Sequence, residues 1–218
     1  MSDTAGRTGL IIIVSAPSGG GKTSLCQRLL NWSPNLMYSI SCTTRAPRAG
    51  EEHGREYFFL SRAEFEARIA AREFLEHAQY NGHYYGTPRG FVEQQLQAGK
   101  DVLLDLEVQG AGQVAQRVRA AQFAYPDAVV QIFLMPPSLE LLEKRLRRRG
   151  TETDEMIQRR LSVAEQEMAQ WRAYDYLIIS GHLDDDFEQA KSILIAEKCR
   201  TARQDQESQP WRQSELSF

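Results

Sequence analysis

A lysine and a threonine that follow a run of glycines are the first residues whose types and spacing suit a chemical role. Residues 10–14 are apolar and read as a buried strand, which leads directly into the segment SAPSGGGKT at residues 15–23. A glycine-rich loop between a strand and a helix directs backbone N–H groups at one centre, where the helix dipole also favours an anion. In this pattern the lysine reaches the outer phosphates and the threonine hydroxyl ligates magnesium. The segment therefore predicts binding of a nucleotide polyphosphate.

One position departs from the usual pattern, which has a glycine where this chain has Ala16. A methyl group is tolerated there if the residue has a negative φ, so we still expect a phosphate-binding loop. The alternative, a merely flexible loop, fits poorly with the strand before it and the helix after it. The residues predicted to bind ATP are Ala16, Pro17, Ser18, Gly19, Gly20, Gly21, Lys22, Thr23 and Ser24.

The second chemical signal is Asp105, near the end of the apolar segment 102–106. Enzymes with a phosphate loop place a carboxylate there to hold magnesium, directly or through its waters. The alternative, an aspartate that caps a local backbone N–H, stays open from this segment alone. We predict that Thr23 and Asp105 together hold Mg²⁺.

Two separate groups of arginines are the third signal. Guanidinium groups bind phosphate oxygens bidentately and stay charged when partly desolvated. A charge run such as residues 147–149 is otherwise typical of a solvated helix face. Because both groups lie on segments that contain glycine or proline, we predict two mobile flaps that close over a pair of nucleotides. The arginines are Arg45, Arg48, Arg145, Arg149 and Arg160.

Strand and helix patterns alternate along the chain. Apolar residues at helical spacing predict helices over 22–32, 139–150 and 154–171 and around 187–194, and Ser61 with Glu64 predicts a capped helix start. Thr87-Pro88 predicts another start, with Thr87 as the N-cap, and Gly99 its end. Strands are predicted over 37–40, 57–60, 102–106, 129–134 and 176–179. This alternation predicts an α/β fold with a central parallel sheet and helices on both faces.

Composition limits the functional classes. The chain has 218 residues, 42% of them hydrophobic, and a net charge of −3, which argues against a broad nucleic-acid surface. Its three scattered cysteines lack a CxxC pair, so we expect neither disulfides nor a zinc site. We find no signal peptide or membrane-spanning stretch, and we expect a cytoplasmic protein. The oligomeric state stays open, a homodimer or higher oligomer included.

Six stretches of this sequence resemble bacterial guanylate kinase, in order and with family-like spacing over about residues 8–198. The stretches with TTRxPR and RGTET are specific, whereas the phosphate loop alone is shared with many NTPases. The six stretches are Ser15–Ser24, Ser41–Glu51 with Tyr57, Glu73–Glu76, Tyr84–Thr87, Asp105–Gly110 and Arg149–Thr153.

The resemblance implies a magnesium-dependent enzyme that catalyses ATP + GMP ⇌ ADP + GDP in purine nucleotide metabolism. It also implies a three-layer fold with a phosphate-loop core, a mixed α/β GMP-binding insert and a short helical lid. The implied divisions are an extension over 1–7, core segments 8–40, 97–143 and 161–200, the insert 41–96, the lid 144–160 and a polar tail 201–218.

The resemblance also implies site roles. Catalysis is assigned to Lys22, Arg45, Arg145, Arg149 and Arg160. GMP binding is assigned to Ser41, Arg45, Arg48, Tyr57, Glu76, Tyr85, Thr87 and Glu107. A carboxylate accepts hydrogen bonds from both the N1–H and the amine of guanine, which suits the two glutamates. The alternatives are that Glu76 is a surface acid and that Thr87 only caps a helix.

Three other functional classes remain as alternatives. Guanylate-kinase-like peptide-binding modules tend to have eroded phosphate loops, whereas Lys22, Thr23 and Asp105 are all present here. Another nucleoside monophosphate kinase fits Glu76 and Glu107 poorly, and a GTPase switch would need an NKxD segment. The family often has Asn-Asp after its last core strand, where this chain has Ser180-Gly181, so no adenine-pocket residue is assigned.

Overall fold

The computed structural model describes residues 9–80, 82–120, 125–148 and 153–203. Its strands are β1 (Ile11–Ser15), β2 (Leu36–Tyr38), β3 (Cys42–Thr43), β4 (Phe58–Phe59), β5 (Phe74–Tyr80), β6 (His83–Pro88), β7 (Asp101–Asp105), β8 (Val129–Met135) and β9 (Tyr176–Ile179). Its helices are α1 (Lys22–Trp32), α2 (Arg62–Ala70), α3 (Arg89–Gln97), α4 (Val108–Arg119), α5 (Leu139–Arg148), α6 (Asp154–Met168) and α7 (Leu183–Lys198).

A five-stranded parallel sheet in the order β2-β7-β1-β8-β9 forms the centre of the molecule. All five residues of β1 are buried, because one hydrophobic cluster covers each face of the sheet. This explains why β1 is a continuous apolar run rather than an alternating one. The predicted α/β fold with a central parallel sheet is confirmed.

A second, mixed sheet in the order β4-β3-β6-β5 lies within residues 42–88. β3 pairs with β4 in parallel, while β6 pairs with β3 and β5 in antiparallel fashion. Helix α2 packs on this sheet through Phe65, whose ring stacks on Phe74 at a centroid distance of 4.4 Å. The predicted capping box is confirmed, since Ser61 and Glu64 cap each other at the start of α2.

Several predicted boundaries were wrong. Thr87 and Pro88 end β6 instead of starting a helix, and α3 begins at Arg89 with Pro88 at the N-cap position. Thr87 does not cap the helix, because its hydroxyl donates to a buried carboxylate within the mixed sheet. Helix α6 ends at Met168 rather than near residue 171.

Further differences concern elements that were missed or lie partly outside the described residues. The sequence patterns did not predict the β5–β6 hairpin or helix α4. Helix α5 is described to Arg148, and its predicted end at Gly150 lies outside the described residues. The polar tail was predicted to be loose from residue 201, but Arg203 forms an ion pair with buried Glu197.

The thiols of Cys26, Cys42 and Cys199 are free in the structure. Within the described ranges, no helix is long and apolar enough to cross a membrane.

Candidate active site

The phosphate loop joins the end of β1 to the start of α1. Gly19 and Gly21 have φ values of 90° and 100°, which glycine adopts at little cost, and Gly21 is the N-cap of α1. Ala16 has no positive φ, so its methyl group is compatible with the loop. Residues 16–24 line a cavity of about 210 Å³, which Glu107 also borders. All nine predicted ATP-binding residues therefore surround one cavity.

Lys22 stands at the first position of α1 and points towards the end of β7. Its Nζ lies 2.5 Å from Asp105 Oδ1, 3.1 Å from the Leu106 carbonyl oxygen and 4.0 Å from Glu107 Oε1. Burial lowers the pKa of Lys22, but the two carboxylates outweigh this effect and leave the pKa raised. Lys22 is therefore a permanent cation at neutral pH.

Two of the three predicted lid arginines reach the phosphate loop. Arg145 on α5 approaches the Gly20 carbonyl oxygen at 3.5 Å, and Arg160 on α6 approaches the Ser18 hydroxyl at 3.4 Å. α5 and α6 pack together through a small apolar cluster around Leu142. Because the helices share this cluster, both guanidinium groups are held on the same side of the loop. Arg149 lies outside the described residues.

A second cavity of about 270 Å³ lies between the central sheet and the mixed sheet. Lys22 and Glu107 border both this cavity and the phosphate-loop cavity. Of the predicted GMP-binding residues, the structure places five around it, which are Ser41, Tyr57, Glu76, Tyr85 and Glu107. The two cavities therefore adjoin at the predicted catalytic lysine.

Glu76 is the buried carboxylate of the second cavity. Its residue is 4% exposed, and its Oε1 accepts a 2.6 Å hydrogen bond from the fully buried Thr87 hydroxyl. Burial raises the pKa of Glu76, and the hydrogen bond from Thr87 opposes that rise. The structure thus rules out the alternative of a surface acid at this position. Thr87 acts through Glu76 and is not among the lining residues.

Gly110 on α4 makes room for this carboxylate. A Cβ atom at residue 110 would lie 2.8 Å from Glu76 Oε2, closer than real Cβ contacts allow. At Gly112, two positions along the same helix, an added Cβ would meet nothing within 4 Å. A methyl group at residue 110 would therefore displace the Glu76 carboxylate, whereas a methyl group at residue 112 would meet open space.

The two predicted arginines of the mixed sheet differ in position. Arg45 forms a 2.9 Å ion pair with Glu51 and stands over the Tyr57 ring at 5.5 Å, next to the second cavity. Arg48 donates its backbone N–H to Glu51, but its side chain does not line the cavity. Tyr57 and Tyr85 contact each other edge to face at 6.0 Å. Neither arginine lines the cavity, but Arg45 contacts Tyr57 on the cavity wall.

Several residues around the two cavities were not predicted from the sequence. Tyr38, Ala78, Gln109 and Gly110 line the second cavity. Glu167 on α6 accepts a hydrogen bond from the Ser18 backbone, and burial together with Glu107 raises its pKa to about 7. Gln109 and Gly110 belong to the stretch Asp105–Gly110, which resembles the family, but no role was assigned to them. Tyr38 and Glu167 lie in no sequence motif, since each is an ordinary residue of a strand or a helix.

The two predicted magnesium ligands line different cavities. Thr23 lines the phosphate-loop cavity, and Asp105 lines the second. No group of three or more His, Cys, Asp or Glu side chains in the described part of the chain could form a metal centre by itself. One hydroxyl and one carboxylate nevertheless fit magnesium, which keeps several waters and takes further oxygens from phosphates.

Comparison with known proteins points to one family. The sequence profile described as "Guanylate kinase" matches residues 8–197. The chain is 47% identical to a guanylate kinase of Desulfitobacterium hafniense, over 89% of this chain and 94% of the relative. It is 43% identical to that of Ruegeria pomeroyi, over 91% and 90%. The crystal structure of guanylate kinase from Anaplasma phagocytophilum superposes with a TM-score of 0.73, at 34% identity and 92% coverage of both chains.

Proposed function

This chain belongs to the guanylate kinase family of nucleoside monophosphate kinases, and we propose that it transfers the γ-phosphoryl group of ATP to GMP, giving ADP and GDP. The observation that carries this proposal is the junction of the two cavities at Lys22 and Glu107. A donor on the phosphate loop and an acceptor in the second cavity would meet there, as in-line transfer requires. The reaction would return GMP to the nucleotide pool of the cytoplasm.

The acceptor needs no catalytic base in this proposal. The phosphate of a nucleoside monophosphate is already largely ionised near neutral pH, so it can attack without losing a proton to the protein. The contribution of the protein is then to position the phosphates and neutralise their charge. Lys22, Arg145 and Arg160 suit this role because all three cations lie at the phosphate loop. We assign the same role to Arg149.

Lys22 must change partners when the donor binds. Its ammonium group is held by Asp105 at 2.5 Å, so the phosphates of ATP would compete with this carboxylate. Thr23 and Asp105 are the residues that would hold Mg²⁺, which when bound supplies positive charge to the β- and γ-phosphates. Once this ion pair separates, the Lys22 ammonium group would be available to bind the phosphates of ATP. The Asp105 carboxylate would then be available to bind Mg²⁺.

Guanine would be read by Glu76. The carboxylate is buried, faces the second cavity and offers Oε2 beside its hydrogen bond to Thr87. Guanine presents two donors on one edge, whereas adenine has no N1–H to offer. Glu107, whose side chain is 57% exposed, would contribute from the open side of the cavity. These positions favour GMP over AMP.

The acceptor phosphate would be held by Arg45, Arg48, Tyr57 and Tyr85, of which both tyrosines line the cavity and Arg45 stands over the Tyr57 ring. Ser41, on the wall of the same cavity, would join Glu76 at the guanine base. Neither arginine lines the cavity, so both would have to approach it when GMP binds. We therefore propose that residues 41–96 act as a closing insert and 144–160 as a lid over the core. Closure would exclude water and suppress hydrolysis of ATP.

The proposed activity is tested by a coupled assay of ADP release with GMP, AMP, UMP and dTMP in turn, each with ATP and Mg²⁺. We expect GMP to give a kcat/KM at least about 100-fold above that of the other acceptors, since a mismatched polar edge costs about 1–3 kcal/mol per group. Equal use of AMP would contradict the proposed base recognition. No ADP release with any acceptor would contradict the proposed reaction.

The contact between Gly110 and Glu76 leads to a matched pair of variants. We expect Gly110→Ala to raise the KM for GMP about 10-fold or more, because the new methyl group displaces the buried carboxylate. Gly112→Ala on the same helix should leave the KM unchanged and stabilise the protein by about 0.5–1 kcal/mol. Steady-state kinetics and thermal unfolding of both variants provide the measurement. Equal KM values for the two variants would show that Glu76 does not depend on this glycine.

A further inference from the structure

A third cavity, of about 410 Å³, shares no lining residue with either cavity of the candidate active site. Three arginines and one histidine line it, together with two apolar residues. The six are Ile69, Arg72, Phe74, His77, Arg89 and Arg117. Arg72 follows α2, Arg89 begins α3 and Arg117 lies on α4, so three separate helices converge on this cationic cavity.

Among the described residues, no carboxylate lines the cationic cavity. The neighbouring Glu73 directs its carboxylate to Arg68 at 3.9 Å, and Glu76 belongs to the second cavity. Arg117 donates to the carbonyl oxygens of Phe74 and Leu75, which satisfies hydrogen bonds without cancelling charge. From outside the cavity, Glu76 offsets part of the charge of Arg117, and the described residues place no carboxylate on the cavity wall.

One N–H group of Arg89 donates no hydrogen bond within the described residues. Its Nε is buried and has no hydrogen-bond partner among the residues that the structure describes. Burial and the positive charge of Arg89 lower the pKa of Arg117, and the negative charge of Glu76 opposes this shift. A buried N–H without a partner is unfavourable. An anion in the cavity would offset the mutual repulsion of Arg89 and Arg117.

Arg72 is held in an unfavourable backbone conformation. It is the one non-glycine residue with positive φ in the described ranges, at 57°. It follows the C-cap of α2, where the Glu73 N–H bonds to the Arg68 carbonyl oxygen and the Arg72 N–H to that of Ile69. Glycine is the usual residue in this left-handed position. An arginine here carries backbone strain while its side chain lines the cavity, a combination that points to function.

We propose that the cationic cavity binds a small anion with two phosphoryl groups, either free diphosphate or the diphosphate end of a larger molecule. Each guanidinium can bind phosphate oxygens through two parallel hydrogen bonds, so three of them match an anion with more than one phosphoryl group. Ile69 and Phe74 offer an apolar wall for the carbon part of a larger ligand. This site is separate from the proposed reaction and does not depend on it.

The imidazole of His77 is a local reporter for the test. Burial and the charge of Arg117 lower the pKa of His77 in the free protein. A bound diphosphate would oppose the charges of Arg72, Arg89 and Arg117 around the ring. NMR titration of the histidine signals should therefore show the His77 pKa rising on addition of inorganic pyrophosphate, with His53, His83 and His182 little changed.

The arms of the experiment separate the ligand sources and the sites. Pyrophosphate represents the free anion, and UDP represents a diphosphate-ended molecule that is neither substrate nor product of the proposed reaction. A response to pyrophosphate alone would assign the free anion, and a tighter response to UDP would assign the larger ligand. The titration is repeated in Lys22→Met, in which the His77 response should persist because the phosphate loop takes no part.

Two variants and one control complete the test. Arg89→Ala should weaken pyrophosphate binding about 10-fold or more, since it removes charged hydrogen bonds. Arg72→Gly should weaken binding similarly while raising Tm by about 2–4 °C, because glycine relieves the strain. Arg62→Ala, on the exposed face of α2 and outside the cavity lining, should leave pyrophosphate binding unchanged. A His77 pKa that does not respond to millimolar pyrophosphate, or equal affinities in all variants, would overturn the proposal.

Discussion

Replacement of Lys22 by methionine is expected to lower kcat by at least about 100-fold, the largest effect that we expect for a single substitution. Methionine has a similar length but offers no charge to the transferring phosphoryl group. Asp105 would lose its 2.5 Å partner, yet its side chain is 18% exposed, so water can solvate the carboxylate and the fold should persist. The coupled ADP-release assay measures kcat, and circular dichroism checks the fold.

The control for this variant is Lys191→Met. It removes a lysine on α7 that pairs with Glu188 and lines neither cavity. We expect its kcat to match that of the wild type. GMP affinity of Lys22→Met, measured by calorimetry, should stay within a few-fold of wild type, because the proposed base contact is at Glu76. A folded Lys22→Met variant with near-normal turnover would refute the catalytic role of Lys22.

Glu76→Gln is expected to lower kcat/KM for GMP by about 10- to 100-fold, through KM rather than kcat. The glutamine oxygen can keep the hydrogen bond from Thr87, and its NH₂ group then faces the cavity. That donor would meet the donors of guanine, a buried mismatch of about 1–3 kcal/mol. The KM for ATP should hardly change, since ATP is proposed to bind on the phosphate loop.

The pH dependence gives a second readout for Glu76. Burial raises its pKa, so the carboxyl becomes protonated at a higher pH than an exposed glutamate and then loses an acceptor. The difference in GMP KM between wild type and Glu76→Gln should therefore shrink as the pH falls. Glu66→Gln, an exposed change on α2, provides the control. An unchanged GMP KM in Glu76→Gln would leave base recognition to Glu107 alone.

The parts of the molecule that depend on neighbours in the chain were predictable. The phosphate loop needs only a buried strand, glycines that adopt positive φ and a helix start, all within residues 11–22. The capping box of α2 likewise depends on two residues three apart. Because these features are local, residue types and spacing were sufficient to place them.

The sequence-based predictions were incomplete or wrong where the role of a residue depends on a contact with a residue far away in the sequence. Gly110 and Gly112 weaken the helical pattern of α4, and the need for Gly110 appears only when the Glu76 carboxylate lies against it. Thr87 before Pro88 matched a helix N-cap, yet its hydroxyl is bound to Glu76 across the β5–β6 hairpin. In both cases a tertiary contact prevailed over the local preference.

The sequence by itself determined the five strands of the central sheet, most of the helices and the phosphate loop, because hydrophobic periodicity and turn chemistry act over a few residues. Only the tertiary structure decided which charges meet. It brought Lys22 against Asp105, buried Glu76 against Thr87 and gathered Arg72, Arg89 and Arg117 from three helices into one cavity. Charge and burial depend on distances through space, and only the packing of the sheets and helices sets those distances.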